Sequence, residues 1–97
     1  MLTPKQKMFL RSKANGIKQK YNIGKNEISK DVLEMIDKAL EAKELIKISV
    51  LKTATSPTRE IALDIASNTH SEIVQIIGRV IILYRKSKTN PNIIDLK

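Results

Sequence analysis

The stretch "ELIKISVLK", Glu44–Lys52, decides the fold. Ile46, Ile48 and Val50 alternate with Lys47 and Ser49, and a period of two rich in β-branched residues is the pattern of a half-buried strand. Upstream, Ile28, Val32, Met35, Ile36, Ala39 and Leu40 recur at helical spacing, so a helix with an inward Met and Ile stripe is predicted over 29–43. Ser29 is placed to cap it, and Asp31 puts a negative charge in its first turn. Asp31, Glu34, Asp37 and Glu41 read as a solvated face balanced by Lys30, Lys38 and Lys43. Downstream, "TATSPT" is a loop, and Ser56-Pro57 opens a helix over 57–69 with Ile61, Ala62, Ile65 and Ala66 facing inward. A strand flanked by two amphipathic helices is the centre of an α/β unit.

Farther along, "EIVQIIGRVIILYRK" reads as a hairpin, Gly78-Arg79 being a two-residue turn of the type with glycine first. Both of its strands are nearly all apolar, so this part of the sheet should be covered. Toward the other end, "QKYNI" at 19–23 is a short strand with Tyr21 and Ile23 on one side. Before it, Thr3 and Gln6 form a capping box around Pro4, and the helix they start should stop near Asn15-Gly16. At ~100° per residue, Leu2, Phe9, Leu10, Ala14 and Ile17 fall on its packing side and Lys7, Arg11 and Lys18 on another. The order is α-β-α-β-α-β-β. Strands joined through helices should be parallel and the last pair antiparallel. The fold class is α/β: a single domain over 1–97, with a four-stranded mixed sheet and three helices. Residues 86–97 are polar and should form an extended or mobile tail.

Composition narrows the function. The chain has 97 residues, no cysteine and a net charge of +8, which leaves no disulfide or thiolate metal site and suits the cytoplasm. No apolar run approaches the ~20 residues of a membrane span, and no apolar segment follows Met1–Lys5 as a secretory leader requires. The charge is uneven: residues 1–30 carry net +7, 31–78 net −3 and 79–97 net +4. A directed positive surface of this kind most often meets nucleic acid. No acid occurs in residues 1–26, so Lys7, Arg11 and Lys18 read as a ligand-facing stripe. A membrane partner fits poorly, because Gln6 and Lys13 interrupt the apolar face of the basic helix and there is no Trp.

Nothing assembles into a catalytic constellation. The single histidine, His70, falls at a helix end, where a cation suits the C-terminal carbonyls. There is no G-x-x-x-x-G-K-[ST] or G-x-G-x-x-G phosphate loop. No enzyme activity, cofactor or small-molecule substrate is expected. Among the few aromatics, Phe9 reads as core, and Tyr21 and Tyr84 on strands are at most minor candidates for stacking on a base.

The segment Gly24-Lys25-Asn26-Glu27 joins the first strand to the second helix. It is either an ordinary tight turn or a loop that grips phosphate, with glycine allowing close backbone approach and a helix N-terminus beyond. Four stretches then carry a resemblance: "LTPKQKMFLRSKA" at 2–14, "IGKNEIS" at 23–29, "ALEAKELIKISVL" at 39–51 and "VQIIGRVIILYRKSK" at 74–88. In this order and spacing the chain resembles the YhbY family, the stand-alone form of the CRM (chloroplast RNA splicing and ribosome maturation) domain. The resemblance implies a fold similar to the C-terminal domain of translation initiation factor three. It also implies RNA binding, with a role on precursors of the large ribosomal subunit. In that family the loop is a G-x-x-G similar to that of KH domains, which clamps the nucleic-acid backbone. Gly24, Lys25 and Asn26 match its first three positions, while Glu27 replaces the second glycine and sets a carboxylate where phosphate would lie.

The expected RNA surface is Lys7, Arg11, Lys18, Gly24, Lys25 and Asn26, extended by Arg79, Arg85, Lys86 and Lys88. Ribosomal RNA of the large-subunit precursor is the expected partner of a monomer. A structured messenger or intron, or an acidic protein partner, are the alternatives.

Overall fold

The computed structural model describes residues 2–18, 20–25, 28–89 and Ile94. Seven elements follow in the expected order: α1 (Pro4–Ala14), β1 (Lys20–Ile23), α2 (Lys30–Lys43), β2 (Leu45–Val50), α3 (Thr58–Thr69), β3 (Glu72–Ile77) and β4 (Val80–Tyr84). The sheet order is β1-β2-β4-β3. β1 and β2 are parallel, and β4 lies antiparallel between β2 and β3. β1, β2 and β3 therefore share a direction and end at the same edge of the sheet, where α2, α3 and the Gly78-Arg79 turn begin.

Local chemistry explains the boundaries. The Thr3 hydroxyl accepts the Gln6 N–H at 3.1 Å, and the Gln6 side chain accepts the Thr3 N–H at 2.9 Å, completing the capping box. Ser29 Oγ accepts the Val32 N–H at 3.2 Å. Gly78 takes φ +57° and Arg79 does not share the positive φ, which is the glycine-first hairpin turn. α1 ends at Ala14 with Asn15 as a right-handed cap. Gly16 therefore follows the helix without terminating it in a left-handed conformation, and Lys18 lies beyond the helix rather than in its stripe. His70 caps α3 at φ 54°, donating its N–H to the Ala66 carbonyl.

Strand alternation sorts the side chains into two cores. Ile23, Ile46, Ile48, Val50, Ile81 and Leu83 face α2 and α3 and meet Ile36, Leu40, Ile61 and Ile65. Leu45, Val74, Ile82 and Tyr84 face the other way and meet Leu2, Leu10 and Ala14 of the α1 layer. A fully buried aliphatic side chain contributes about 1.5–3 kcal/mol of transfer free energy, so both faces of the central strands are needed by the fold.

Two expected core residues are placed differently, and one minor stacking candidate is closed off. Phe9 is 40% exposed: the buried strip of α1 centres on Leu10 and Ala14, and Phe9 is turned a quarter-circle away, with Lys13 Nζ 5.6 Å from its ring. Met35 is also exposed, outside the strip set by Ile36, Ala39 and Leu40. Tyr84 is buried beneath α1 and offers no stacking face. Burial first, then the carboxylates of Glu44 and Glu72, push its phenol above the ordinary value.

The acids of α2 are not simply solvated. Arg85 Nη1 donates to Asp37 Oδ1 at 2.6 Å and to the Thr69 carbonyl at 2.9 Å. Glu41 accepts the N–H groups of Lys88 and Thr89 and the hydroxyls of Ser87 and Thr89. Glu44 is fully buried at φ 65°, a region that costs a non-glycine residue on the order of 1–3 kcal/mol. Its carboxylate accepts the Ser87 N–H at 2.6 Å and the Ile94 N–H at 2.8 Å. The start of the polar tail is thus fastened to the end of α2. The rest of the tail, apart from Ile94, lies outside the described residues.

Candidate nucleic-acid interface

The topology gathers one set of predicted residues and separates another. The Leu51 N–H donates to the Ile23 carbonyl and the Val50 N–H to the Arg79 carbonyl, both at 2.7 Å. These two bonds tie the Gly24-Lys25 loop, the end of β2 and the hairpin turn into one rim at the carboxyl end of the sheet. Lys25 and Arg79 are exposed there. Asn26 and Glu27 lie outside the described residues.

Lys52 and Arg59, which no local sequence signal marks, are brought by the fold to the same rim: Lys52 in the turn after β2 and Arg59 in the first turn of α3. Lys30 opens α2 beside them. The side chains of Lys25, Lys30, Lys52, Arg59 and Arg79 make no hydrogen bond or ion pair with the described residues. The N-termini of α2 and α3 also point to this end, each with backbone N–H groups and a partial positive charge. An acceptor-rich polyanion is the chemistry such a rim suits.

Lys7 and Arg11 belong to the opposite layer. Helical spacing puts them on one flank of the buried strip of α1, with Phe9 and Lys13 on the other. Lys18 precedes β1 and so lies at the amino end of the sheet, separated from Lys25 by the length of β1, about 13 Å for four residues. Lys86 and Lys88 are exposed at that end as well, just after β4. Arg85 differs from all of these. Its side chain is 14% exposed and engaged with Asp37, Glu41 and Thr69. It is a structural clamp, not a cation available to a ligand.

Gly24 has a reason inside the protein. A Cβ there would lie 2.7 Å from Thr53 Oγ1 and 3.4 Å from Leu51 Cδ1. Glycine lets the loop pack against the turn after β2, whatever else it contacts. Elsewhere, the open grooves beside α2 carry both signs of charge, Asp31, Glu34 and Lys38 in one and Lys30, Lys38, Glu34 and Asp37 in the other, so neither is a directed positive surface. Among the described residues no group of acids and histidines could hold a metal ion, and no helix is long and apolar enough to cross a membrane.

The CRS1/YhbY (CRM) domain model matches residues 2–85. The chain belongs to the CRM domain family. A CRM relative in Bacillus subtilis (strain 168), named "Probable RNA-binding protein YqeI", is 42% identical over 93 residues, covering 96% of this chain and 97% of the relative. A Haemophilus influenzae relative named "RNA-binding protein" is 34% identical over 87 residues, covering 90% and 88%. The solution structure of SAV1595 from Staphylococcus aureus superposes with a TM-score of 0.80 at 43% identity, with full coverage of both chains. The three-helix, mixed-sheet CRM fold predicted from the sequence is the fold observed.

Proposed function

We propose that this CRM protein is a non-catalytic RNA-binding factor that contacts the ribosomal RNA backbone in precursors of the large ribosomal subunit and assists their assembly. It acts as a cytoplasmic monomer, without cofactor or small-molecule substrate. What supports it is the rim where Lys25, Lys52 and Arg79 stand around two helix N-termini without a hydrogen-bond or ion-pair partner among the described residues. The names of its relatives and the large-subunit role implied by the family resemblance support it. Gly24, Lys25, Asn26 and Arg79, joined by Lys52 and Arg59, form the main contact at the rim; Lys7 and Arg11 on α1 and Lys18, Lys86 and Lys88 at the amino end are separate basic patches that a long RNA reaches as well, and Arg85 supports the fold.

Binding is mainly to phosphates, so it is steeply salt-dependent. With ~5 phosphate contacts on a duplex-like site, affinity falls several hundredfold between ~50 and ~200 mM salt. Sucrose-gradient sedimentation of the tagged protein in cell extract tests the assignment. Co-sedimentation with free large subunits or their precursors, lost at raised salt, is expected. Sedimentation only at the top of the gradient under both conditions would remove the ribosome and leave a smaller RNA as the partner.

A further inference from the structure

Resting on the RNA-binding reading, we propose that the half of the sheet beside α1 that no described residue covers takes unpaired nucleotides, and so sets which RNA the protein prefers. α1 covers only Leu45, Val74, Ile82 and Tyr84 on its face. The strand register places Asn22, Ser49, Val80, Gln75 and Ile77 on that same face, nearer the carboxyl rim. Leu51 continues the row, lying beside Gly24.

Two features of this strip point to a ligand. First, Leu51 and Ile77 are 42% and 53% exposed, and Val80 between them is half-buried, which gives an apolar floor at the end of an otherwise well-covered sheet. Second, the side chains of Asn22, Ser49 and Gln75 make no hydrogen bond to any described residue, Asn22 being exposed and Ser49 and Gln75 half-buried. An apolar floor with amides and a hydroxyl beside it matches a nucleobase, which has an apolar face and a hydrogen-bonding edge. Asn and Gln amides each offer a donor and an acceptor to such an edge.

Charge selects the class of partner. Among the described residues of this face the only acid is Glu72, at the far end of β3, where it accepts the Leu2 N–H at 3.0 Å. Lys47 sits within the face, and Lys25 and Arg79 stand at its rim. A phosphate backbone can therefore follow the rim while the bases turn toward the strip. A duplex cannot use the floor, because its base faces are stacked and its edges lie within grooves. The strip thus favours an unpaired segment next to a helix over a continuous helix. Its aliphatic floor supplies weaker contact than an aromatic platform, so the preference is moderate.

Fluorescence anisotropy with the full chain tests this, using a labelled RNA hairpin carrying a short unpaired tail and the same hairpin with a blunt end. At equal salt the tailed RNA is expected to bind about tenfold tighter. The double variant Leu51→Ser/Ile77→Ser should bind the tailed RNA no better than the blunt one, with unchanged blunt-hairpin affinity and salt dependence. Both side chains are exposed, and an unchanged thermal midpoint checks the fold. The independent pair Asn22→Ala/Gln75→Ala should remove discrimination among tail sequences. Equal binding of both RNAs by the wild type, or a tail preference that survives in both variants, would overturn the proposal while leaving RNA binding intact. Binding of neither RNA at low salt would instead overturn the RNA-binding reading on which it rests.

Discussion

At the carboxyl end of the sheet, Lys25, Lys52 and Arg79 extend from turns without partners among the described residues. At the amino end, Arg85 is held between Asp37, Glu41 and the Thr69 carbonyl, and the backbone of Ser87, Lys88 and Thr89 is gripped by Glu41 and Glu44. A basic residue at one end faces outward, and an equally basic residue at the other holds the chain to itself. Net charge therefore measures the supply of cations and says nothing of their use. Use depends on whether the fold brings carboxylates within reach.

Charge reversal should separate the two ends most widely. Lys25→Glu with Arg79→Glu removes two exposed cations of the rim and adds two repulsive charges. RNA affinity at about 100 mM salt should fall more than a hundredfold, while the thermal midpoint stays within a degree or so of wild type. Arg85→Ala should do the reverse. Losing charge-assisted bonds to Asp37 and the Thr69 carbonyl should lower stability by about 2 kcal/mol, with RNA affinity of the folded protein unchanged. Denaturant titration and anisotropy on the same three proteins give the comparison. Equal loss of RNA affinity in both variants would mean that the two ends act as one surface.

Most of the fold was legible because its signals are local. Thr3, Gln6 and Ser29 announce helix starts through bonds to residues three positions away, and the alternation of 46, 48 and 50 announces β2 and its buried side. Phe9 and Met35 were misplaced because helical spacing gives the direction of an apolar stripe but not its width. The roles of Asp37, Glu41 and Arg85 were hidden because their partners lie 47 or 48 residues away along the chain. Lys52 and Arg59 escaped notice for a related reason. They fall in the mildly acidic middle of the sequence, and only the parallel arrangement of β1, β2 and β3 carries them to the basic rim.

Gly24 sharpens the comparison within the rim itself, because both a packing reason and a ligand reason can require glycine there. Gly24→Ala places a methyl 2.7 Å from the hydroxyl of exposed Thr53, a contact that turning the Thr53 side chain relieves in part, so the fold should lose at most about 1 kcal/mol. Thr53→Ala in the same chain should recover most of that loss. If RNA affinity recovers with stability in the double variant, the glycine serves the Thr53 contact. If stability returns and affinity does not, the backbone at Gly24 also approaches the ligand.

The amino-end clamp has a pH signature of its own. Hydrogen bonds from the Thr89 hydroxyl, then from the Lys88 and Thr89 N–H groups, lower the Glu41 carboxyl from an ordinary 4.5 to about 2. A carboxylate whose pKa is depressed by folding contributes stability that is fully present above the unfolded value. That stability is lost as pH falls from about 4.5 through about 2. Glu41→Gln removes the charge that these donors favour, so it should be less stable than wild type near neutral pH. The gap in thermal midpoint between the two proteins should hold steady down to about pH 5 and then narrow toward pH 2. A gap that stays constant through this window would show that Thr89 and Lys88 bind the neutral and charged forms equally, and that the tail is fastened by Glu44 alone.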